Sequence, residues 1–157
     1  MLDIAVLKVD TDTSPHWIVP TATPAHSGQQ VYTVGFPAVQ MLGQEPKVST
    51  GIVNALSGIG GEEALMQVSA PISTGSSGGP VFTEKGKLTG IMLSTAEAKP
   101  FFEATGHLPQ NVNWAIKAGY LEPLVPTGKP ETFPSVDDAK TFAEQAVYMV
   151  KAIESSE

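Results

Sequence analysis

The stretch Gln67-Val68-Ser69-Ala70-Pro71-Ile72-Ser73-Thr74-Gly75-Ser76-Ser77-Gly78-Gly79-Pro80 sets a serine inside a glycine-rich turn, with apolar, strand-like sequence on both sides. Glycine lets a backbone turn tightly and come close to other groups. Such a turn presents a hydroxyl beside backbone N–H groups that no side chain covers. A nucleophile next to free N–H donors is what acyl transfer needs. An aspartate of the right kind to support it lies at Asp3, yet no histidine precedes that residue.

Outward from the turn, the chain reads as short strands. Ala64 to Val68 leads into the turn. Val81-Phe82 and Lys87 to Leu93 form a hairpin turning through Glu84-Lys85-Gly86. Val31-Tyr32-Thr33-Val34-Gly35-Phe36 is a strand stopped by Pro37, and Val48 to Leu56 alternates weakly as another. Asn111-Val112-Asn113-Trp114-Ala115-Ile116 follows a long loop, 94–110. At the front, Asp3-Ile4-Ala5-Val6-Leu7-Lys8-Val9 reads as a buried strand because Ile4, Val6 and Val9 are β-branched. Residues 11–30 are loop-like, with Pro15, Pro20 and Pro24.

The tail changes period. Ser135-Val136-Asp137-Asp138 has the form of a capping box, with acids suited to a helix N-terminus. Phe142, Ala146, Val150 and Ile153 recur at helical spacing, which predicts one amphipathic helix over 136–153 after a Pro-rich linker, 123–134. The fold class is therefore all-β: an antiparallel barrel of about six short strands carrying a C-terminal α-helix.

Bulk composition excludes several functions. The 157 residues suffice for one domain with a real core, and only 16% are charged. No apolar run approaches the ~20 residues of a membrane span. The net charge of −7 argues against nucleic acid as a partner, since phosphate binding needs basic patches. With no cysteine, neither disulfides nor a thiolate zinc site exist. No cofactor or metal is implied, and no signal peptide is visible. Gly58-Ile59-Gly60-Gly61 lacks the Lys-Ser/Thr ending of a phosphate loop and reads as a hairpin turn; Glu62-Glu63 reads as a solvated turn. Trp114 reads as core, and Trp17 as a cover over a groove. The Phe142–Ile153 stripe reads as packing back on the barrel.

Gly75-Ser76-Ser77-Gly78-Gly79 satisfies two designs on paper. In the nucleophile elbow of α/β-hydrolases a helix follows the serine. Here a hairpin follows, and His107, the one histidine after Ser77, precedes the acidic pair Asp137-Asp138 where the elbow needs the acid first. The second design is the trypsin-like double barrel. Gly75-Ser76-Ser77-Gly78-Gly79-Pro80 resembles the Gly-Asn/Asp-Ser-Gly-Gly-Pro signature of chymotrypsin-fold serine proteases, with Ser76 departing from the usual Asn or Asp. The flanks resemble the bacterial HtrA/Deg branch: Asp3-Ile4-Ala5-Val6-Leu7-Lys8, Val34-Gly35-Phe36-Pro37, Ser49-Thr50-Gly51-Ile52-Val53-Asn54-Ala55-Leu56 and Asn113-Trp114-Ala115-Ile116 match its motifs in order. The likeness covers about residues 3–125.

The resemblance implies roles. Ser77 is the nucleophile, the N–H groups of Gly75 and Ser77 form the oxyanion hole, and Asp3 orients a histidine. Ala70, Pro71, Ile72 and Ser73, with the strand end Leu93-Ser94-Thr95, wall the primary specificity pocket, opposite Val112 and Asn113. Pro71 stands where an acid would select Lys or Arg, so small or medium apolar side chains are expected. It also implies a layout: residues 1–10 as the last strand of a missing N-terminal barrel, 11–30 as the inter-barrel linker, 31–125 as a six-stranded Greek-key second barrel, and 126–157 as linker and helix. An extracytoplasmic bacterial site is what the branch suggests.

The family order is His, Asp, Ser, but His16, His26 and His107 all follow Asp3 and read as surface residues. Residues 3–9 are then expected to lack most strand partners, an aggregation hazard unless covered. Three readings stay open. One is a fragment of a serine endopeptidase that cleaves peptides through an acyl-enzyme at Ser77. Another is a catalytically dead pseudo-protease that binds extended peptides. The third is complementation by a separate chain bearing the first barrel.

Overall fold

The computed structural model describes residues 2–7, 24–125 and 133–150. Strands β1 (Gln30–Gly35), β2 (Lys47–Ala55), β3 (Leu65–Val68), β4 (Pro80–Thr83), β5 (Leu88–Thr95) and β6 (Asn113–Lys117) close into a barrel in the order β1-β2-β3-β6-β5-β4. Every pairing is antiparallel. Two three-stranded meanders are joined where β1 meets β4 and β3 meets β6. Because β4 lies beside β1, the β3–β4 connection must cross one end of the barrel, the Greek-key order. Residues 69–79, with the serine turn, make that crossing.

Alternation along β1 explains the two cores. Val31 packs inward with Val53, Met66, Val68, Val81, Met92 and Ala115, a cluster that draws on all six strands. Tyr32 and Val34 face outward and pack with Phe82, Leu88, Ala118 and Leu121. A strand with period-2 side chains is buried on both faces only if something covers the outside. That cover is α3 (Val136–Ala146), whose small Ala139 and Ala143 are buried in the outer cluster. Ser135 caps α3: its Oγ accepts from the Asp138 N–H at 3.1 Å. Phe133 packs on Phe142, with ring centroids 5.1 Å apart.

Several expectations are corrected. Residues 3–7 lie in no strand, and 8–9 are outside the described residues. A strand needs a ladder partner, and the closed barrel offers no free edge. Ile4 instead packs on the outer cluster. The expected loop 94–110 contains a helix, α2 (Ala98–Thr105), closed by Gly106 in the left-handed region with its N–H on the Phe102 carbonyl at 2.7 Å. A short helix, α1 (Val39–Leu42), follows β1. The C-terminal helix ends at Ala146 rather than 153; residues 147–150 are non-helical and 151–157 lie outside the described residues. Its buried face is Ala139/Ala143, and Val150 is exposed. Residues 8–23, with His16 and Trp17, and most of the linker also lie outside the described residues. Among the described residues no helix is long and apolar enough to cross a membrane.

Two predictions test this packing. Gly86 sits at φ +71 in the β4–β5 turn, and a Cβ there would clash with the Phe133 ring. Gly86→Ala should destabilise by about 1–2 kcal/mol from backbone strain alone, read as a lower urea midpoint at unchanged m-value. Tyr32 is 2% exposed, and its hydroxyl has no hydrogen-bond partner among the described residues. Burial pushes its pKa up to about 12. The unfolded phenol ionises near 10 while the folded one stays neutral, so stability is intact below pH ~10 and falls on the order of 2 kcal/mol toward pH 12. Tyr32→Phe should flatten that loss in urea titrations across this range.

Candidate active site

The serine turn is fixed from both sides. The N–H of Gly78 donates to the Met92 carbonyl and the N–H of Met92 donates to the Gly79 carbonyl, both at 2.8 Å, tying the turn to β5. The N–H of Ala38 donates to the Thr74 carbonyl at 3.0 Å and ties it to the segment after β1. Ala38 holds a left-handed conformation, φ 44 and ψ 51, unusual for a residue with a Cβ. Within the turn, the Ser76 N–H donates to the Ser73 carbonyl at 2.9 Å and the Gly79 N–H to the Ser76 carbonyl at 3.1 Å.

The two adjacent serines part company here. Ser76 is buried, 6% exposed, and its Oγ accepts from the Ser73 N–H at 3.4 Å. It is the turn's internal brace. Ser77 is exposed. Gly75 lies at φ +98, a region that costs a side chain energy, and a Cβ there would meet the Phe36 carbonyl oxygen at 2.5 Å. Among the described residues, the N–H groups of Gly75 and Ser77 donate to no protein acceptor. Exposed backbone donors beside an exposed serine hydroxyl are the elements an oxyanion needs.

Ser77 lies between two cavities. The larger, about 740 Å³, is lined by Ile72, Ser73, Thr74, Ser94 and Thr95, and also by Ala96, Glu97, Pro100, Phe101, Trp114 and Ile59. Four of the seven expected pocket residues, Ile72, Ser73, Ser94 and Thr95, are thus brought to Ser77. Ala70 is fully buried, and Pro71 is exposed and lines no part of this cavity. Leu93 faces the other way, into a separate cavity with Asp3, Glu62 and Tyr120. Asp3 is therefore not gathered with Ser77; adjacent β5 residues, Leu93 and Ser94, divide the two cavities. Asn113 is buried, and its amide donates to the Ala70 carbonyl at 2.9 Å, bracing the start of the serine segment.

The walls contributed by α2 and Trp114 are those the sequence reading missed. Asn113 and Ala115 are buried on β6, so Trp114 between them points outward and lines the cavity rather than filling the core. Its alternation with these neighbours was the available signal. For α2, the signals were Pro100 in the first turn and Gly106 just past the end. Neither described histidine lines either cavity at Ser77. His26 Nδ1 lies 3.3 Å from the Ser27 carbonyl, and His107 Nδ1 lies 3.0 Å from the Thr105 carbonyl.

A closed six-stranded antiparallel barrel with a glycine-framed serine between β3 and β4 defines the class of trypsin-like barrels. The comparisons agree: residues 1–91 match the family described as "Trypsin-like peptidase domain", and the chain belongs to it. It is 33% identical over 129 residues to the human peroxisomal leader peptide-processing protease, covering 78% of this chain and 21% of that protein. It is also 33% identical over 92 residues to a probable periplasmic serine endoprotease, DegP-like, of Halomonas elongata, covering 57% and 19%. The serine endoprotease structure from Yersinia pestis superposes with a TM-score of 0.50 at 26% identity, over 68% of this chain and 32% of that one. The chain thus spans about a fifth of the relatives' length, and the likeness places it with the HtrA/Deg branch.

Gly75→Ala tests the turn. The new methyl meets the Phe36 carbonyl and disfavours φ +98, turning the N–H away. If the Gly75 N–H is an oxyanion donor, acylation of Ser77 by a fluorophosphonate in protein supplied with a histidine-bearing first barrel, followed by intact mass, should slow about 100-fold.

Proposed function

We propose that this chain carries the nucleophile, oxyanion hole and acyl pocket of a serine endopeptidase. The observation that carries the reading is the exposed Ser77 with the N–H groups of Gly75 and Ser77, which donate to no acceptor among the described residues. Ser77 Oγ attacks the scissile carbonyl carbon as its proton passes to a base. The carbonyl oxygen becomes an oxyanion that accepts from the two N–H groups. Collapse breaks the C–N bond, the base returns its proton to the amine, and the acyl-enzyme is then hydrolysed by water. No cofactor enters these steps.

The base is proposed to be a histidine from outside the described residues, borne by a first barrel of the same gene product or of a separate chain. Asp3 is its proposed orienting acid. That assignment requires the histidine to bridge from the Asp3 cavity to Ser77 past Leu93 and Ser94. The acyl pocket is walled by Ile72, Ala96, Phe101 and Trp114, with Glu97 its only charged lining residue. It suits an apolar side chain on the acyl side of the bond. Extended peptide or unfolded protein is the proposed substrate class. The periplasmic relative supports an extracytoplasmic bacterial site.

A second reading, a peptide-binding pseudo-protease, is favoured by one observation: neither described histidine lines a cavity at Ser77. One experiment separates the two. Peptide hydrolysis is measured with this chain alone and with a histidine-bearing first barrel supplied, fused or in trans. The enzyme reading expects turnover to rise at least ~1,000-fold on supplying the histidine, given the ~10⁶-fold cost of losing a triad member, and to vanish in Ser77→Ala. Peptide binding without acylation in the assembled protein establishes the pseudo-protease instead.

A further inference from the structure

The second cavity at Ser77, about 580 Å³, is unlike the first. It is lined by the glycines of the serine turn, Gly75, Gly78 and Gly79, by Gly35 and Phe36, and by the chain's own segment Val147–Val150. Thr74 and Ser77 are the only residues the two cavities share. A peptide crossing Ser77 places its acyl part on one side of the hydroxyl and its leaving amine on the other. With the acyl side chain in the Ile72–Trp114 cavity, the leaving part of the peptide enters the second.

Resting on the serine peptidase reading, we infer that Val147–Val150 forms the wall that selects the residue immediately after the scissile bond, and that it selects apolar side chains. Among the described residues the lining is largely apolar, Phe36, Val39, Val147, Met149 and Val150, with Gln40, Thr74, Ser77 and the Tyr148 hydroxyl as its polar groups and no charged side chain. A carboxylate or ammonium seated there loses water and gains no opposite charge. Tyr148 is 65% exposed and Val150 73% exposed, so both hold apolar surface available to a ligand.

The position of this wall is built in, not incidental. The Ser135 cap and the burial of Ala139 and Ala143 dock α3 on the barrel. The helix stops at Ala146, and Val147 turns to extended backbone, φ −102 and ψ 126, while packing on the outer cluster. The helix thus delivers an extended segment to the rim of the serine turn.

The test uses the Ser77→Ala chain, which binds without turnover, and isothermal titration of two peptides. Both carry the same apolar residue for the Ile72–Trp114 cavity and differ only in the next residue, Leu or Asp. The Leu peptide is expected to bind at least tenfold tighter. Val150→Asp and Tyr148→Ala should each cut that ratio below threefold, with far-UV circular dichroism and Tm unchanged, since both residues are largely exposed. A ratio near one in the unsubstituted segment, or a ratio that survives both substitutions, overturns the inference. Fluorophosphonate labelling of the chain with Ser77 intact is run alongside: absence of labelling in the histidine-supplemented protein defeats the peptidase reading, whatever the Leu/Asp ratio shows.

Discussion

Everything at the candidate site depends on two reciprocal backbone hydrogen bonds, Gly78 N–H to Met92 O and Met92 N–H to Gly79 O. They turn the end of the serine turn into an extra rung on β5. The other side of the turn presses on β1 with no room for side chains: a Cβ on Gly35 would meet the Ser76 backbone at 3.1 Å, and one on Gly79 would clash with the Val34 carbonyl. A loop held only by side chains keeps many conformations, and each ordered residue costs about 1–2 kcal/mol. Here the barrel closure fixes that backbone, and the N–H groups of Gly75 and Ser77 have no acceptor among the described residues.

The Greek-key crossing explains why the serine sits where it does. β3 and β4 lie on opposite sides of the meander pair, so residues 69–79 must traverse an end of the barrel. That path passes over Met92 and beneath Phe36, and the glycines make the close approach tolerable. Asn113 anchors the start of the path through the Ala70 carbonyl. The two buried faces of β1 add a second requirement: a cover on the outside of the barrel. α3 meets it, and in doing so sets where the extended segment after Ala146 begins.

Local patterns were the legible part. Six strands, the 84–86 turn, the Ser135 cap and the glycine-framed serine could all be read because each is a short-range preference: alternation, positive φ, or a side chain bonding three residues on. The end of α3 was illegible because Val147 and Val150 continue the helical period, while packing and the outer cluster decide where the helix stops. Trp114 was misread as core because apolar character says nothing of which face of β6 it takes; the burial of Asn113 and Ala115 decides that. Residues 3–7 form no strand on this barrel for a different reason. β-Branched residues favour an extended backbone, but a strand exists only with a partner, and Ile4 finds burial without one.

The site divides into a local part and a non-local part. The proposed oxyanion donors and nucleophile come from residues 75–77, held by bonds within 73–79 and by β5. Each donor contributes about 3 kcal/mol to a transition state, and nothing in that contribution waits on a distant segment. The proposed acid and base are different: Asp3 lines another cavity, with Leu93, and a general base must reach within hydrogen-bond distance of Ser77. On the proposed reading, the oxyanion donors lie within the barrel, whereas a histidine base for Ser77 is not among the described residues that line its two cavities. Transition-state binding is thus, on that reading, written into one turn, and nucleophile activation is the separate part that must reach Ser77 from elsewhere.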